Sequence, residues 1–300
     1  METLEGSRLW ERFDKEFLST PGVHCLSLGQ TGTGKTIKSF KLIEWLLKKG
    51  ETVVYFDTGK SGEILPLLGL GKPIHCIIPD ENGCSCSMSF RQSPVSIDFD
   101  YVKEAGRTWT CIQLGKINVL GFRNFFVDAQ PKAKYGSDLV HSLVIAARRQ
   151  KMPNPMTLVI DEFHELCPSY GLMENKYLKE SASRTTVALK TLRSEGIRII
   201  AIDQAWNDIF SNARRQFSFI LASRAPSFGK DAGRLASYPF HDLTVEYGRM
   251  IFPQREWAGV WKFHMYYPPP GSWVNYSGEV VQHVPKRTVV ETWQKVVVDA

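Results

Sequence analysis

Residues Gly29, Gln30, Thr31, Gly32, Thr33, Gly34, Lys35 and Thr36 spell G-x-x-x-x-G-K-T without a mismatch. The chemistry of that pattern is polyphosphate binding. Glycines let successive backbone N–H groups turn toward one anion, and a helix that starts at the lysine adds its positive end. Lys35 reaches the β- and γ-phosphates, and the Thr36 hydroxyl ligates Mg²⁺. The motif needs a strand before it and a helix after it. Residues 23–28 (Val-His-Cys-Leu-Ser-Leu) form an apolar run, and residues 37–49 have amphipathic helical spacing. The expected ligand is therefore ATP with Mg²⁺. The motif says what is bound and nothing about the use of the energy.

Two further strand tips carry chemistry. Residues 157–162 read Thr-Leu-Val-Ile-Asp-Glu, an apolar strand ending in two acids. Asp161 is expected at its carboxyl end beside the phosphate loop, supporting the metal shell with Thr36. Glu162, one residue on, is expected to orient and deprotonate the attacking water, a role that a kinase does not need. The next apolar strand, at 197–202, ends in Asp203-Gln204. The Gln204 amide is placed to touch the γ-phosphate or the lytic water. His164 is read as a packing residue near this site.

The elements that must position these groups follow from apolar periodicity. Residues 1–20 read as a short helical lead-in. Residues 21–240 read as the nucleotide-binding core, with a β-rich insertion at 65–135. Residues 241–300, rich in aromatics and with three prolines at 268–270, read as an antiparallel C-terminal extension packed on the core. Strands are expected at 23–28, 53–56, 156–160, 197–202 and 217–221, with shorter β-like runs at 75–78, 108–114 and 117–120. Helices are expected at 37–49, at 137–150 with Ser137 as N-cap, and at 173–195. Short buried strands alternating with helices mean an α/β fold with a mostly parallel sheet.

These residues resemble the FtsK–HerA group of P-loop motors. The acidic strand and its continuation (Leu-Val-Ile-Asp-Glu-Phe-His-Glu-Leu-Cys-Pro, 158–168) carry the likeness. So do Leu-Arg-Ser-Glu-Gly-Ile at 192–197, Ile-Ile-Ala-Ile-Asp-Gln at 199–204 and the segment 212–220, with a looser match at 55–63. The resemblance implies a RecA-like core and a homo-oligomeric ring, usually a hexamer, that drives double-stranded DNA through a channel. ATP would sit between subunits. Arg193 aligns with the group's arginine and is the first candidate to act in the neighbour's site, followed by Arg214, Arg215 and Arg224. The shortness of the chain beyond the core favours viral genome packaging, with capsid or membrane proteins at a portal vertex as docking partners. A Zot-like phage assembly or secretion ATPase and a HerA-type conjugation or DNA-processing translocase are the alternatives. Lys132 and Lys134 in a loop, and Lys176, Lys179, Arg184 and Lys190 on the helix after the acidic strand, are candidates for DNA phosphates. Solvated surface charge is the competing reading for each of these cations.

Composition bounds the rest. A 300-residue chain that is 43% hydrophobic can bury a large core, and a net charge of +6 permits a nucleic-acid partner without requiring one. Six cysteines without a framework pattern suit reduced thiols in a cytoplasmic protein. Cys84 and Cys86 are too close for a zinc knuckle. No apolar run approaches the ~18 residues of a membrane span, and residues 1–17 hold no signal-peptide core.

Overall fold

Runs of four to seven apolar residues, separated by amphipathic segments, fold as strands and crossover helices. In the computed structural model the described residues are 8–57, 67, 70, 72–79, 84–90, 97–121, 129–224, 247–252, 257–262, 272–274, 280–282 and 290–297. The chain begins with α1 (Arg8–Phe13) and a tight π-type turn at Asp14–Leu18, then β1 (Cys25–Leu28), α2 (Lys35–Lys48) and β2 (Thr52–Asp57). Next come β3 (Ile74–Pro79), β4 (Cys84–Phe90), β5 (Ile97–Val102), a 3-10 segment at Ala105–Cys111 and β6 (Ile117–Gly121). The core continues with α3 (Ala129–Arg148), β7 (Met156–Ile160), α4 (Lys176–Ser194), β8 (Ile197–Asp203), α5 (Ser211–Arg214) and β9 (Phe219–Ala222). It ends with β10 (Tyr247–Phe252), β11 (Trp257–Lys262), β12 (Ser272–Val274), β13 (Val280–Gln282) and β14 (Val290–Val297).

Ten strands form one sheet in the order β11-β10-β9-β1-β8-β7-β2-β6-β3-β5. From β9 to β5 every neighbouring pair is parallel. Strands β10 and β11 add the antiparallel edge. The α/β class and that edge are as the sequence implies. Strands β3, β5 and β6, from the stretch at 65–135, extend this same parallel sheet, whereas β4 pairs antiparallel with β14. Parallel strands need both faces covered. Strand β2 shows why its run is continuously apolar: Val53 and Tyr55 belong to the core cluster on one face with Phe13, Phe17 and Ile43, and Val54 and Phe56 to the cluster on the other with Leu139, Leu143 and Leu189. Each fully buried side chain of this size stabilises by roughly 1.5–3 kcal/mol. Among the described residues no helix is long and apolar enough to cross a membrane.

Local expectations fail in three places, each because tertiary contacts override local signals. Residues 108–114 do not form a strand. Trp109 instead docks on α3, its Nε1 donating to Leu139 O at 3.2 Å and Ser142 Oγ at 2.8 Å. Ser137 is not an N-cap, because α3 begins eight residues earlier, at Ala129, and Ser137 is buried within it. Pro131 falls in its first turn, where proline is tolerated. Gly136 is a mid-helix glycine because a Cβ there would lie 2.5 Å from Leu166 Cδ2. Finally, Lys132 and Lys134 lie on this helix and not in a loop. Lys132 pairs with Glu165 at 2.8 Å and Lys134 with Asp138 at 3.1 Å.

The lead-in is pinned by a buried arginine. Arg198 of β8 is fully buried and pairs with Glu51 at 2.8 Å. It also donates to the carbonyls of Phe17, Leu18, Thr20 and Val23 and lies over the Phe17 ring. This network spends all of the guanidinium's charge inside the fold, at the end of the sheet away from the phosphate loop.

Candidate nucleotide site

The phosphate loop hangs from three strand tips. Gly29 N donates to Asp203 O at 3.3 Å, Gln30 N to Arg224 O at 3.1 Å, and Ser223 N to Leu28 O at 2.7 Å. Gly29 must be a glycine for packing: a Cβ would lie 2.6 Å from Thr33 Oγ1 and 2.7 Å from Ser223 Cβ. Gly32 and Gly34 have φ of +81° and +76°, which side chains with a Cβ rarely adopt. Right- and left-handed residues in alternation gather N–H groups on one concave side. Gly34 occupies the N-cap position of α2, which has no side-chain cap and no acid in its first turn. By contrast α4 is capped by the Asn175 side chain, which accepts from Leu178 N at 3.0 Å. The first-turn donors of α2 are thus left for an anion. Lys35 starts this helix and is buried; Ser39 secures the turn by donating to Lys35 O at 2.9 Å. Thr36 lies in the same first turn, and its side chain is outside the described set. This donor set fits the polyphosphate of a nucleotide.

The sheet order decides how the acidic strand meets the loop. Strand β8 lies between β1 and β7, so the acids are one strand away from the loop's own strand. Leu28 is in register with Asp203, and Ile160 with Ala201. Asp161 and Glu162 therefore emerge level with the end of β8, both buried. Gln204 fills the space between. Its Oε1 accepts from Thr31 Oγ1 at 3.1 Å, and its Nε2 donates to Glu162 Oε1 at 3.0 Å and Oε2 at 3.3 Å. One amide joins the phosphate loop to the second acid.

Two residues matter here that the sequence did not single out. Glu162 has φ of +46°, a left-handed conformation for a non-glycine residue. That backbone is held from β8: Asp203, fully buried, accepts from His164 N at 2.8 Å and from Gln204 N at 2.7 Å. The His164 ring adds a contact from Nδ1 to Asp203 at 3.2 Å and lies 3.7 Å from Glu162. Burial opposes a charge on His164. The hydrogen bond and charge of Asp203, with Glu162 and Glu165 nearby, outweigh it and raise the imidazole to about 9. Ligand atoms of Glu162, His164 and Asp203 lie within 4.8 Å of one another. The Asp203 and Glu162 carboxylates already accept from N–H donors. The other unforeseen residue is Lys38, fully buried under the loop, whose ammonium burial lowers to about 8.

Of the candidate arginines, Arg224 meets the loop through its backbone carbonyl on Gln30 N, and the others lie elsewhere. Arg193 ends α4 and donates to Ser218 Oγ. It sits at the start of β8, roughly 20 Å along that strand from Gln204 by the rise per residue. Arg214 is buried over the Trp206 ring, 5.3 Å from its centroid, and bonds Asn207 at 3.3 Å. Arg215 and Arg224 are exposed. None is brought to the chain's own loop by a described side-chain contact. On α4, Arg184 is committed to Asp138 at 2.8 Å and to Glu180, whereas Lys176, Lys179 and Lys190 are exposed. His75 contacts Asp98 and Asp100 rather than cysteines, and Cys25, Cys111 and Cys167 are free thiols.

The fold has counterparts among solved structures. The genome packaging NTPase B204 from Sulfolobus turreted icosahedral virus 2, in complex with ATP-gammaS, superposes with a TM-score of 0.51 at 11% identity, covering 82% of this chain and 99% of that one. The same NTPase with AMP gives 0.50 at 12% identity, covering 81% and 98%. Its sulfate complex gives 0.50 at 11%, covering 81% and 97%. This chain has the fold of the packaging NTPase B204. At these identities the likeness concerns the fold alone. No family model matches the sequence, nor does any curated protein.

Proposed function

We propose that the chain is an ATP hydrolase that works as a DNA-translocating motor, packaging double-stranded viral DNA as one subunit of a homo-oligomeric ring. The Thr31–Gln204–Glu162 bridge carries this reading. A kinase or a simple switch has no use for a γ-phosphate contact wired to a carboxylate base. Backbone donors of residues 29–36 and Lys35 bind the triphosphate. Asp161 and Thr36 would hold Mg²⁺, which supplies charge neutralisation at the β- and γ-phosphates when bound. Glu162 takes a proton from water as the water oxygen attacks the γ-phosphorus, and ADP leaves with the bridging oxygen's electron pair. Gln204 feels the change at Thr31 and passes it to Glu162 and β8. An arginine from the neighbouring subunit, Arg193 first, stabilises the transition state, a contribution of about 10³–10⁵ in rate in such enzymes. Exposed Lys176, Lys179 and Lys190 supply phosphate contacts to DNA. The B204 fold and a net charge of +6 support this reading.

The test is ATPase activity at low salt with and without double-stranded DNA, alongside sedimentation with ATPγS. Stimulation by DNA and a ring-sized species support the motor. A DNA-insensitive monomer that hydrolyses ATP would overturn translocation while leaving the hydrolase.

A further inference from the structure

Lys38 is a buried cation that hydrolysis chemistry does not use. It lies one turn beyond Lys35 on α2 and is fully buried. Its ammonium donates to Thr33 O at 3.0 Å and to Ser223 Oγ at 2.9 Å. Among the described residues no carboxylate pairs with it. An ammonium has three donors and a charge that is costly to bury without an opposing one. The nearest place where the fold gathers donors for an anion is directly above it, on the concave side of the loop.

We infer that Lys38 is a second lysine of the nucleotide site, a positioning residue that acts on the polyphosphate from beneath the loop through the Thr33–Gly34 peptide. In a trans peptide the C=O and the following N–H point in opposite directions. The ammonium on Thr33 O therefore polarises the Gly34 N–H on the opposite face, where the phosphates bind. The same ammonium fixes the loop to Ser223 at the end of β9, beside Arg224, whose carbonyl holds Gln30 N. The loop is thus tied to β9 at both of its ends. Lys35 meets the phosphates directly, whereas Lys38 sets the strength and the aim of a backbone donor. The ligand class is a nucleoside di- or triphosphate, and the inference rests on the nucleotide reading of the loop.

The experiment is calorimetric titration of the full chain with ATPγS, ADP and AMP, for wild type, Lys38→Met and Lys35→Ala, with thermal unfolding as a control for folding. Methionine matches the lysine's length and removes the buried charge but leaves Thr33 O and Ser223 Oγ without their donor, so the variant is expected to fold and to melt somewhat below wild type. Its affinity for ATPγS is expected to fall at least ~10-fold, the scale of one hydrogen bond to a charged group, with ADP affected less and AMP least. Should Lys38→Met fail to fold, Lys38→Gln keeps one donor without the charge and is expected to show the same order of losses. Wild-type-like ATPγS affinity in the Lys38 variant, with affinity lost in Lys35→Ala, would overturn the role of Lys38 alone. Equal loss for AMP and ATPγS would reduce Lys38 to a structural strut. Undiminished binding in Lys35→Ala would overturn the nucleotide reading itself.

Discussion

Asp203→Ala separates the two tasks of the β8 tip. Its carboxylate accepts from two backbone N–H groups, His164 at 2.8 Å and Gln204 at 2.7 Å, and from the His164 ring. Removing it strands both N–H groups in a buried site. At about 1.5–3 kcal/mol for each hydrogen bond to a charged group, the two together cost about 3–6 kcal/mol. Freed of the clamp, Glu162 can leave its left-handed backbone, which returns roughly 1–2 kcal/mol. The net loss is then about 1–5 kcal/mol, set against the ~5–15 kcal/mol typical of a domain. Asp203→Asn keeps an oxygen acceptor and is expected to lose about half as much. The loop anchor is the Asp203 backbone carbonyl on Gly29 N, which both variants retain. ATPγS affinity should therefore stay close to wild type while kcat falls by about 10², the scale expected when a catalytic group is misplaced by an ångström. Urea unfolding measures the first effect, and steady-state ATPase with ATPγS titration measures the second. A variant as stable as wild type, or one with unchanged kcat, would refute the view that Asp203 holds the catalytic carboxylate in place.

Glu162→Gln should bind ATPγS normally and lose at least ~100-fold in turnover, checked by phosphate release. The His164–Asp203 pair makes stability depend on pH: with the folded imidazole raised from 6.5 to about 9, its stabilisation is fully present below pH 6.5 and fades as pH rises through 9. The melting-temperature gap between wild type and His164→Ala should close over that range, and a constant gap would argue against a charged pair. Gly22 has φ of +78°, and a Cβ there would sit 2.3 Å from Arg193 O. Gly22→Ala should accordingly destabilise by about 2 kcal/mol or more in urea unfolding.

How much of the site could be read in advance depended on how local each signal was. The phosphate loop was legible because its chemistry is written in contiguous residues: glycines for left-handed turns, a lysine, and a helix start. The acidic strand was legible because a buried parallel strand is a run of apolar residues, and its polar tip stands out. Gln204 followed from the same logic. Helix α3 was misread because Pro131 and Gly136 look like breakers, yet the proline falls in the first turn and the glycine makes room for Leu166. Residues 108–114 were misread because Trp109 docks on a helix rather than beside a neighbouring strand, and Leu114 is exposed.

The sequence alone determined that a nucleotide loop, two carboxylates and an amide exist, and that each stands at the end of a buried strand. Only the tertiary structure decided that β8 runs between the other two strands, because strand order depends on crossover packing and leaves no mark in local periodicity. That order makes Gln204 a bridge rather than a bystander. It also makes Asp203 the clamp on Glu162, and the pairing of β9 with β1 on the other side places Ser223 against Lys38. These contacts join residues up to 185 positions apart, as Lys38 and Ser223 show. Their partners are chosen by the fold's layering, not by spacing along the chain.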